Sequence, residues 1–157
     1  SALRFFEKPE PARIIGSAAE IREAVTAVLQ NAAEATSRSP IELRCGAFDQ
    51  LIADPEEFFL PCGLTGLAVE FIEIKDEGDG MDSYILRRAC NPFFSTKPGH
   101  RGLGLATVFG IMAGHKGAIG IRSARGAGTR VRLYFPNACA EEKQTQSDTQ
   151  SQTVESS

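Results

Sequence analysis

The first strong pattern in the chain is an apolar stripe between residues 17 and 36, whose members lie three or four positions apart. The stripe consists of Ile21, Val25, Val28 and Ala32. Residues at this spacing share one face of a helix, so we predict a helix from Ala18 to Thr36. Ser17, followed three positions later by Glu20, forms a capping box that favours this start. A second face of the helix carries Glu20, Ala24, Ala27, Asn31 and Glu34.

Alternating apolar residues predict two strands on either side of a long connection. Residues 41–47 and 67–75 alternate in this way, which is typical of half-buried strands. The intervening residues 48–66 show little periodicity and contain several prolines and glycines, so we predict a loop there. The apolar residues 58–60 within this loop are expected to pack back onto the body of the domain.

Two helices and two further strands are predicted in the second half of the chain. They span residues 83–90, 105–115, 118–123 and 129–135. Asp82 can cap the first of these helices, and Asn91-Pro92 should end it because proline cannot continue a helix. Gly117 should end the second helix. The sequence Ala-Arg-Gly-Ala-Gly at 124–128 favours a hairpin turn between the two strands.

The two ends of the chain differ from its middle. Apolar residues at positions 3–6 form either a short strand that pairs with the body or a contact with an upstream segment, so we treat residues 1–15 as a lead-in. Residues 137–157 are rich in Gln, Ser, Thr and Glu and cannot bury enough apolar surface to fold. We therefore predict one folded domain over residues 16–136, followed by a disordered tail.

Size and charge exclude several classes of protein. A chain of 157 residues is long enough for one domain with its own core. Its 17 basic and 20 acidic side chains give a net charge of −3, so there is no general basic field for nucleic acid. No apolar run is long enough to cross a bilayer, and we expect a cytoplasmic domain without direct membrane contact. Four cysteines lack metal-ligand spacing and fit a reducing compartment: Cys45, Cys62, Cys90 and Cys139.

Three stretches are candidates for ligand chemistry, and each has a simpler alternative. Residues 76–80, Asp-Glu-Gly-Asp-Gly, put a carboxylate and two glycines after a strand, where the backbone can approach a ligand; the alternative is an ordinary turn. Residues 93–105 place glycines and cations before a helix, which suits a polyphosphate; the alternative is a surface loop. Asn31 projects from a helix among small residues, and the alternative is a surface amide.

Together these signals resemble the ATP-binding catalytic domain of two-component histidine kinases, within the GHKL ATPase superfamily. The N, G1, F, G2 and G3 boxes of that family match LQNAAEA, DEGDGM, NPFFSTK, GLGLATVFGI and GAGT, in this order. The resemblance covers residues 14–136. It implies an α/β (α+β) two-layer sandwich in which a mixed, mostly antiparallel sheet packs on three helices.

The resemblance implies how the base of ATP would be bound. Asp76 is expected to accept a hydrogen bond from the exocyclic amine of adenine. Guanine carries an oxygen acceptor at the same position and could not donate to this carboxylate. Thr129 could add a hydroxyl beside it, directly or through water. Gly78 and Gly80 would let the backbone approach the base and sugar, next to Met81.

The resemblance also implies how Mg²⁺ and the phosphates would be bound. Asn31 is expected to give Mg²⁺ one neutral oxygen, and Asn31 and Lys97 are the expected catalytic residues. Lys97 and Arg101 would neutralise phosphate charge, while Gly102 and Gly104 would turn backbone amides toward it. The remaining expected nucleotide contacts are Glu34, Ala35, Phe94, Leu103 and Leu105.

The sequence departs from some members of this superfamily. Relatives of the gyrase and mismatch-repair type place a water-activating Glu one helical turn before the Asn, where this chain has Ala27. Alanine cannot act as a base, which argues against hydrolysis of ATP. The resemblance implies a lid between Cys90 and Leu103 that closes over the nucleotide. Of the two histidines, His100 lies in this expected lid and His115 at a helix C-terminus, where a cation suits the helix dipole. Neither is expected to accept phosphate.

The implied function is therefore transfer of the γ-phosphate of ATP to a histidine outside this chain. The expected partners are a phosphoacceptor and dimerisation domain of the same full-length protein, which could carry a membrane anchor, and a response regulator. Three alternatives remain: a module that senses nucleotide or docks a partner without transferring phosphate, a GHKL serine kinase or ATPase, and an α/β domain that binds no nucleotide.

Overall fold

The computed structural model describes residues 2–6, 13–60, 63–89 and 104–138. The helices in these ranges are α1 (Ala18–Ala35), α2 (Ser83–Arg88) and α3 (Gly104–Gly114). The strands are β1 (Leu3–Phe6), β2 (Ile41–Phe48), β3 (Phe58–Leu60), β4 (Val69–Asp76), β5 (Ala118–Ser123) and β6 (Thr129–Pro136). Among the helices described, none combines the length and the hydropathy that a membrane span requires.

The strands of the described chain form one sheet in the order β1-β2-β4-β6-β5-β3. Strand β1 runs parallel to β2, and the other pairings are antiparallel. The predicted architecture, a mixed and mostly antiparallel sheet packed on helices, is confirmed. Of the two alternatives for residues 3–6, the structure has the short strand, since Leu3 pairs with Ile41 at the edge of the sheet.

Helix α1 begins at the predicted capping residue. The Ser17 side chain accepts a hydrogen bond from the Glu20 backbone N–H at 3.3 Å, which satisfies one amide of the first turn. The helix ends one residue earlier than predicted, at Ala35. Thr36 already has an extended backbone while its N–H still donates to the Ala32 carbonyl. The start of α1 therefore follows from a local sequence signal.

The buried face of α1 differs from the prediction at one important position. The prediction placed Ala24 on the second face of the helix, with Asn31, but Ala24 is fully buried. Helix α1 packs on both the sheet and α3, so the centre of its buried stripe runs along residues four apart: Ala24, Val28 and Ala32. Asn31 lies one heptad after Ala24 on the same side and is exposed. The packing that buries Ala24 therefore does not extend to Asn31, although Ala32 beside it is buried.

The predicted loop 48–66 contains a strand and part of a second core. Strand β3 lies within it and pairs with β5, so the loop prediction is wrong at residues 58–60. Leu51 and Leu64 are buried against the sheet face opposite the helices, where they join Tyr134. The described residues of the connection from 49 to 68 thus cover part of this outer face of the sheet.

The chain leaves the sheet shortly after β6. The Asn137 backbone N–H donates to the Ala68 carbonyl, and its side-chain amide donates to Glu70 Oε1 at 2.9 Å. The first residues of the predicted tail are thus bonded to the domain. The rest of that tail, from residue 139, lies outside the described residues.

Candidate functional site

Three polar side chains form a row across the ends of three neighbouring strands. Asp76, the last residue of β4, is the register partner of Thr129 on β6, and Thr129 is also the partner of Ser123 on β5. Partners across antiparallel strands point to the same face of a sheet. Asp76 lies two residues after Ile74, which is buried under the helices, so this row lies on the helical face.

The Asp76 carboxylate is buried and oriented by the turn that follows it. Only 5% of Asp76 is exposed to solvent. Its Oδ1 accepts a hydrogen bond from the Gly78 backbone N–H at 2.8 Å, an arrangement that closes the turn on its own side chain. This hydrogen bond fixes the orientation of the carboxylate, which can accept further hydrogen bonds at the end of the strand.

Two glycines permit close backbone contacts around this row. A Cβ at Gly78 would collide with the Ala35 carbonyl at the end of α1, so only glycine allows the turn to approach the helix. Gly128 has φ of +75°, which L side chains rarely adopt, and a Cβ there would collide with the Asp76 carbonyl. Both glycines thus allow close approach between parts of the protein itself, and the expected approach of Gly78 and Gly80 to a base and sugar stays a prediction.

The other end of the site lies where α1 meets the start of α3. Gly104 is the first residue of α3, and the position that its Cβ would occupy is 3.2 Å from Asn31 Nδ2 and 3.3 Å from Oδ1. The first amides of a helix have no partner within the helix and attract negative charge. The exposed amide of Asn31 therefore lies beside an electropositive helix end.

Helix α1 joins the two ends of the site. Asn31 and Ala35 are four residues apart and share a face of α1, about 6 Å apart along its axis. Asn31 adjoins Gly104, and Ala35 adjoins Gly78 in the turn after Asp76. A single helical turn thus connects the buried carboxylate with the start of α3. Leu105, the next residue of α3, packs against the main core and anchors that helix.

Ser123 belongs to this site, and the sequence prediction missed it. Its Oγ accepts a hydrogen bond from the Met81 backbone N–H at 2.8 Å and lies 2.7 Å from Thr129 Oγ1. It also donates to the Gly128 carbonyl at 3.0 Å. The hairpin predicted between β5 and β6 already implied that Ser123 faces Thr129, and this was the signal that could have identified it.

Several predicted site residues are not informative in the structure. Glu34 is exposed on α1. The residues Phe94, Lys97, Arg101, Gly102 and Leu103 lie outside the described residues. The part of the chain that the structure describes contains no cluster of three or more His, Cys, Asp or Glu side chains suited to a metal.

His115 lies in a structural contact remote from this row. Its Nδ1 is 2.8 Å from the Ile111 carbonyl, and its Nε2 accepts the Ser17 backbone N–H at 3.0 Å. Both ring nitrogens therefore have partners within the fold.

A second polar cluster lies on the outer face, away from the site. The Tyr134 hydroxyl donates to Glu57, whose carboxylate is 3.7 Å from Arg130. Burial raises the pKa of the Glu57 carboxyl and raises the pKa of Tyr134 to about 12. Arg132 donates to Glu73 at 2.6 Å and lies over the ring of Phe71. The Glu57 contacts join the connection 49–68 to the sheet, whereas the Arg132 contacts join β6 to β4.

Comparison with known proteins identifies the family. Residues 16–138 match the family of histidine kinase-, DNA gyrase B- and HSP90-like ATPases. A putative sensor protein of Shewanella frigidimarina is 34% identical over 129 residues, which cover 81% of this chain and 17% of that protein. Sporulation kinase A of Bacillus subtilis is 38% identical over 65 residues, which cover 41% of this chain and 11% of that protein. This chain thus spans less than a fifth of either relative.

Solved structures agree with this match. The mycobacterial sensor histidine kinase MprB superposes with a TM-score of 0.62 at 25% identity, over 86% of this chain and 82% of that chain. Full-length ShkA in complex with AMPPNP superposes with a TM-score of 0.66 over 87% of this chain and 26% of that chain; at 20% identity it supports the fold alone. From its sequence match and its fold, this chain belongs to the family of histidine kinase-, DNA gyrase B- and HSP90-like ATPases, and its relatives include sensor histidine kinases.

Proposed function

We propose that this domain binds ATP with Mg²⁺ and acts as the catalytic domain of a sensor histidine kinase. In this proposal the γ-phosphate passes to a histidine on a separate phosphoacceptor domain of the full-length protein, and from there to a response regulator. The observation that carries the proposal is the arrangement around one turn of α1, with Asp76 at one end and the Asn31–Gly104 contact at the other. The family match supports the same function.

The base of the nucleotide would lie against the row at the strand ends. Asp76 is a buried acceptor, and the exocyclic amine of adenine is a donor, whereas guanine presents an acceptor at that position. A buried site that pairs with one hydrogen-bonding group discriminates strongly against an analogue that lacks it, because its own polar group is left unpaired. Asp76 would therefore select ATP over GTP.

The phosphates would lie at the start of α3. Its first amides and positive dipole suit phosphate oxygens. The Asn31 oxygen beside Gly104 is a neutral, hard donor of the kind that Mg²⁺ accepts, and phosphates and water would complete the octahedral shell. Lys97 and Arg101, which lie outside the described residues, would add positive charge from the adjoining segment. The bound ion would neutralise phosphate charge.

The residues of this domain would act by positioning rather than by acid–base chemistry. Ala27 lies one turn before Asn31, is partly buried in the main core and cannot activate water. This favours phosphoryl transfer to a delivered nucleophile, an in-line reaction catalysed by alignment and charge neutralisation. Steady hydrolysis of ATP by the isolated domain is accordingly expected to be negligible.

Two measurements on one preparation test this function. Calorimetric titration of the 157-residue chain with a non-hydrolysable ATP analogue, with and without Mg²⁺, is expected to show binding that Mg²⁺ strengthens. Addition of the phosphoacceptor domain of the full-length protein with radiolabelled ATP is expected to label that domain on histidine. Binding without transfer would instead support a nucleotide-sensing module, and rapid turnover without an acceptor would support an ATPase.

A further inference from the structure

The hydroxyl of Ser123 has three hydrogen-bonding neighbours, and their chemistry fixes where its proton lies. The Met81 backbone N–H, at 2.8 Å, can only donate. The Gly128 carbonyl, at 3.0 Å, can only accept. The Thr129 hydroxyl, at 2.7 Å, can do either. A serine hydroxyl has one proton to donate and two lone pairs that accept.

Only one assignment satisfies all three contacts. Ser123 accepts from Met81 and donates its single proton to Gly128. The remaining lone pair of Ser123 then accepts the proton of Thr129. If Ser123 donated to Thr129 instead, the Gly128 contact would have no proton. The Thr129 hydroxyl therefore gives its proton to Ser123 and offers only lone pairs to any other neighbour.

The register of the sheet places Thr129 beside the residue that is proposed to bind the base. Thr129 lies between Ser123 and Asp76 in the row, and all three point to the helical face. Asp76 is a buried acceptor on one side of Thr129. With its proton committed to Ser123, Thr129 adds a second acceptor beside that carboxylate.

We propose that Ser123 is a positioning residue that sets base specificity by making Thr129 an obligate acceptor. Two neighbouring acceptors beside the C6 substituent can take both hydrogens of an amine and therefore favour it, whereas an oxo group there would face two sets of lone pairs. Because Ser123 acts through Thr129 and Met81, it need not touch the nucleotide. This inference rests on the proposed function, since it concerns the same nucleotide site.

The test compares ATP with ITP, which differ at the C6 substituent and the adjoining N1 proton. Calorimetry on the 157-residue chain with Mg²⁺ gives the ratio of the two dissociation constants. In Ser123→Ala the Thr129 hydroxyl regains its proton for donation and can pair with the oxo group. The preference for ATP over ITP is expected to fall about three- to tenfold, the range of one hydrogen bond.

Matched variants separate this role from a general loss of structure. Thr129→Val removes the hydroxyl that Ser123 is proposed to orient, so Ser123→Ala should not change the ATP-to-ITP ratio further in that background. Ser123→Thr keeps a hydroxyl and should restore most of the preference. Ser123→Cys replaces the hydroxyl by a weak thiol at similar volume and should shift the ratio as alanine does, which provides a readout if the alanine variant does not fold.

The outcomes are distinguishable. A wild-type chain that binds neither nucleotide would overturn the proposed function, and this inference with it. A wild-type chain that prefers ATP, with an unchanged ratio in Ser123→Ala or Ser123→Cys, would overturn only the role of Ser123. An equal loss of preference in the presence and absence of the Thr129 hydroxyl would overturn it too, because Ser123 would then act by another route.

Discussion

His115 and Ser17 are 98 residues apart in sequence, yet the imidazole Nε2 of His115 accepts the backbone N–H of Ser17 at 3.0 Å. This bond ties the end of α3 to the start of α1. The His115 side chain is 5% exposed and packs edge-on against Phe135. Both ring nitrogens thus have partners within the fold.

His115→Ala is expected to reduce the free energy of unfolding by about 2 kcal/mol, because a buried ring and two hydrogen bonds are lost. Urea denaturation followed by circular dichroism measures this change. Glu20→Ala is the matched control: its carboxylate lies 3.9 Å from the same Nε2 and is mostly exposed, so the loss should stay below about 0.5 kcal/mol. Equal losses in the two variants would contradict the importance of the Ser17 bond.

The hairpin between β5 and β6 offers a matched pair of glycines. Gly126 and Gly128 have φ of +78° and +75°, but a Cβ at Gly126 would meet no atom within 4 Å, whereas one at Gly128 would collide with Asp76 backbone. Gly126→Ala should therefore destabilise the domain by about 1 kcal/mol from backbone strain alone. Gly128→Ala should cost at least about 2 kcal/mol more and weaken nucleotide binding, because Asp76 must move. Chemical denaturation and calorimetry test both, and similar effects of the two substitutions would refute the close contact.

Asp76→Asn is expected to weaken ATP binding about 10- to 100-fold, because the loss of a charge-assisted hydrogen bond costs about 1.5 to 3 kcal/mol. The asparagine oxygen can still accept the Gly78 backbone N–H, so the turn should persist. Calorimetric affinity measures the effect, and a thermal melt checks that the fold is retained. An affinity within twofold of the wild-type value would exclude Asp76 from the base site.

Asn31→Ala is expected to abolish most of the strengthening of ATP binding by Mg²⁺ while leaving metal-free binding nearly unchanged. Asn31 is exposed on α1, and alanine is a better helix former, so stability should not fall. Titrations of an ATP analogue with and without Mg²⁺ test this expectation. Gln30→Ala is the control, since Gln30 is also exposed on α1 and is not part of the proposed site. A Mg²⁺ effect of equal size in all three proteins would remove Asn31 from the metal site.

Glu57 should make stability depend on pH. Burial raises the pKa of its carboxyl above the ordinary value of 4.5, so the folded state holds this proton more tightly than the unfolded chain. The resulting stability is present in full below pH 4.5 and is lost as pH rises through the raised folded value. Glu57→Gln keeps an acceptor for Tyr134 and cannot ionise, so stability at pH 7 should rise and its decrease above pH 4.5 should become shallower.

The control for this prediction is Glu56→Gln. Glu56 lies beside Glu57 in sequence but is exposed and pairs with Arg122 at the surface. Its removal should leave the pH profile of the unfolding free energy almost unchanged. If Glu57→Gln left the slope above pH 4.5 unaltered, the buried charge would not be the source of the pH dependence.

Structural features that depend on neighbouring residues were predicted well. Features that depend on contacts between distant residues were missed. The Ser17 capping box and the apolar spacing gave α1 to within one residue, because both act within a single helical turn. Strand β3 was missed because its three residues form a strand only through pairing with β5, about sixty positions later. The burial of Ala24 was missed because it depends on how α1 packs against α3 and the sheet, and such packing between distant segments cannot be read from the local sequence of the helix.

The same contrast between local and non-local features applies to the site. The order of its motifs was visible in the sequence, and Asn31 and Gly104 are indeed neighbours in space. Ser123 was overlooked because a single hydroxyl at a strand end has no signature until the register brings it opposite Thr129. The direction in which that hydroxyl donates depends on Met81 and Gly128, which come from separate parts of the chain.

The second core under the connection 49–68 limits how another domain can dock on this one. Leu51 and Leu64 cover the outer face of the sheet at Tyr134. A partner that approaches this part of the face would contact the connection and not the strands beneath it. To reach the strands it would have to detach the connection and separate Glu57 from Tyr134. The two faces of this domain are therefore unequal: at this end of the sheet the outer face is already occupied by the chain itself, and Asn31 is presented on the opposite side.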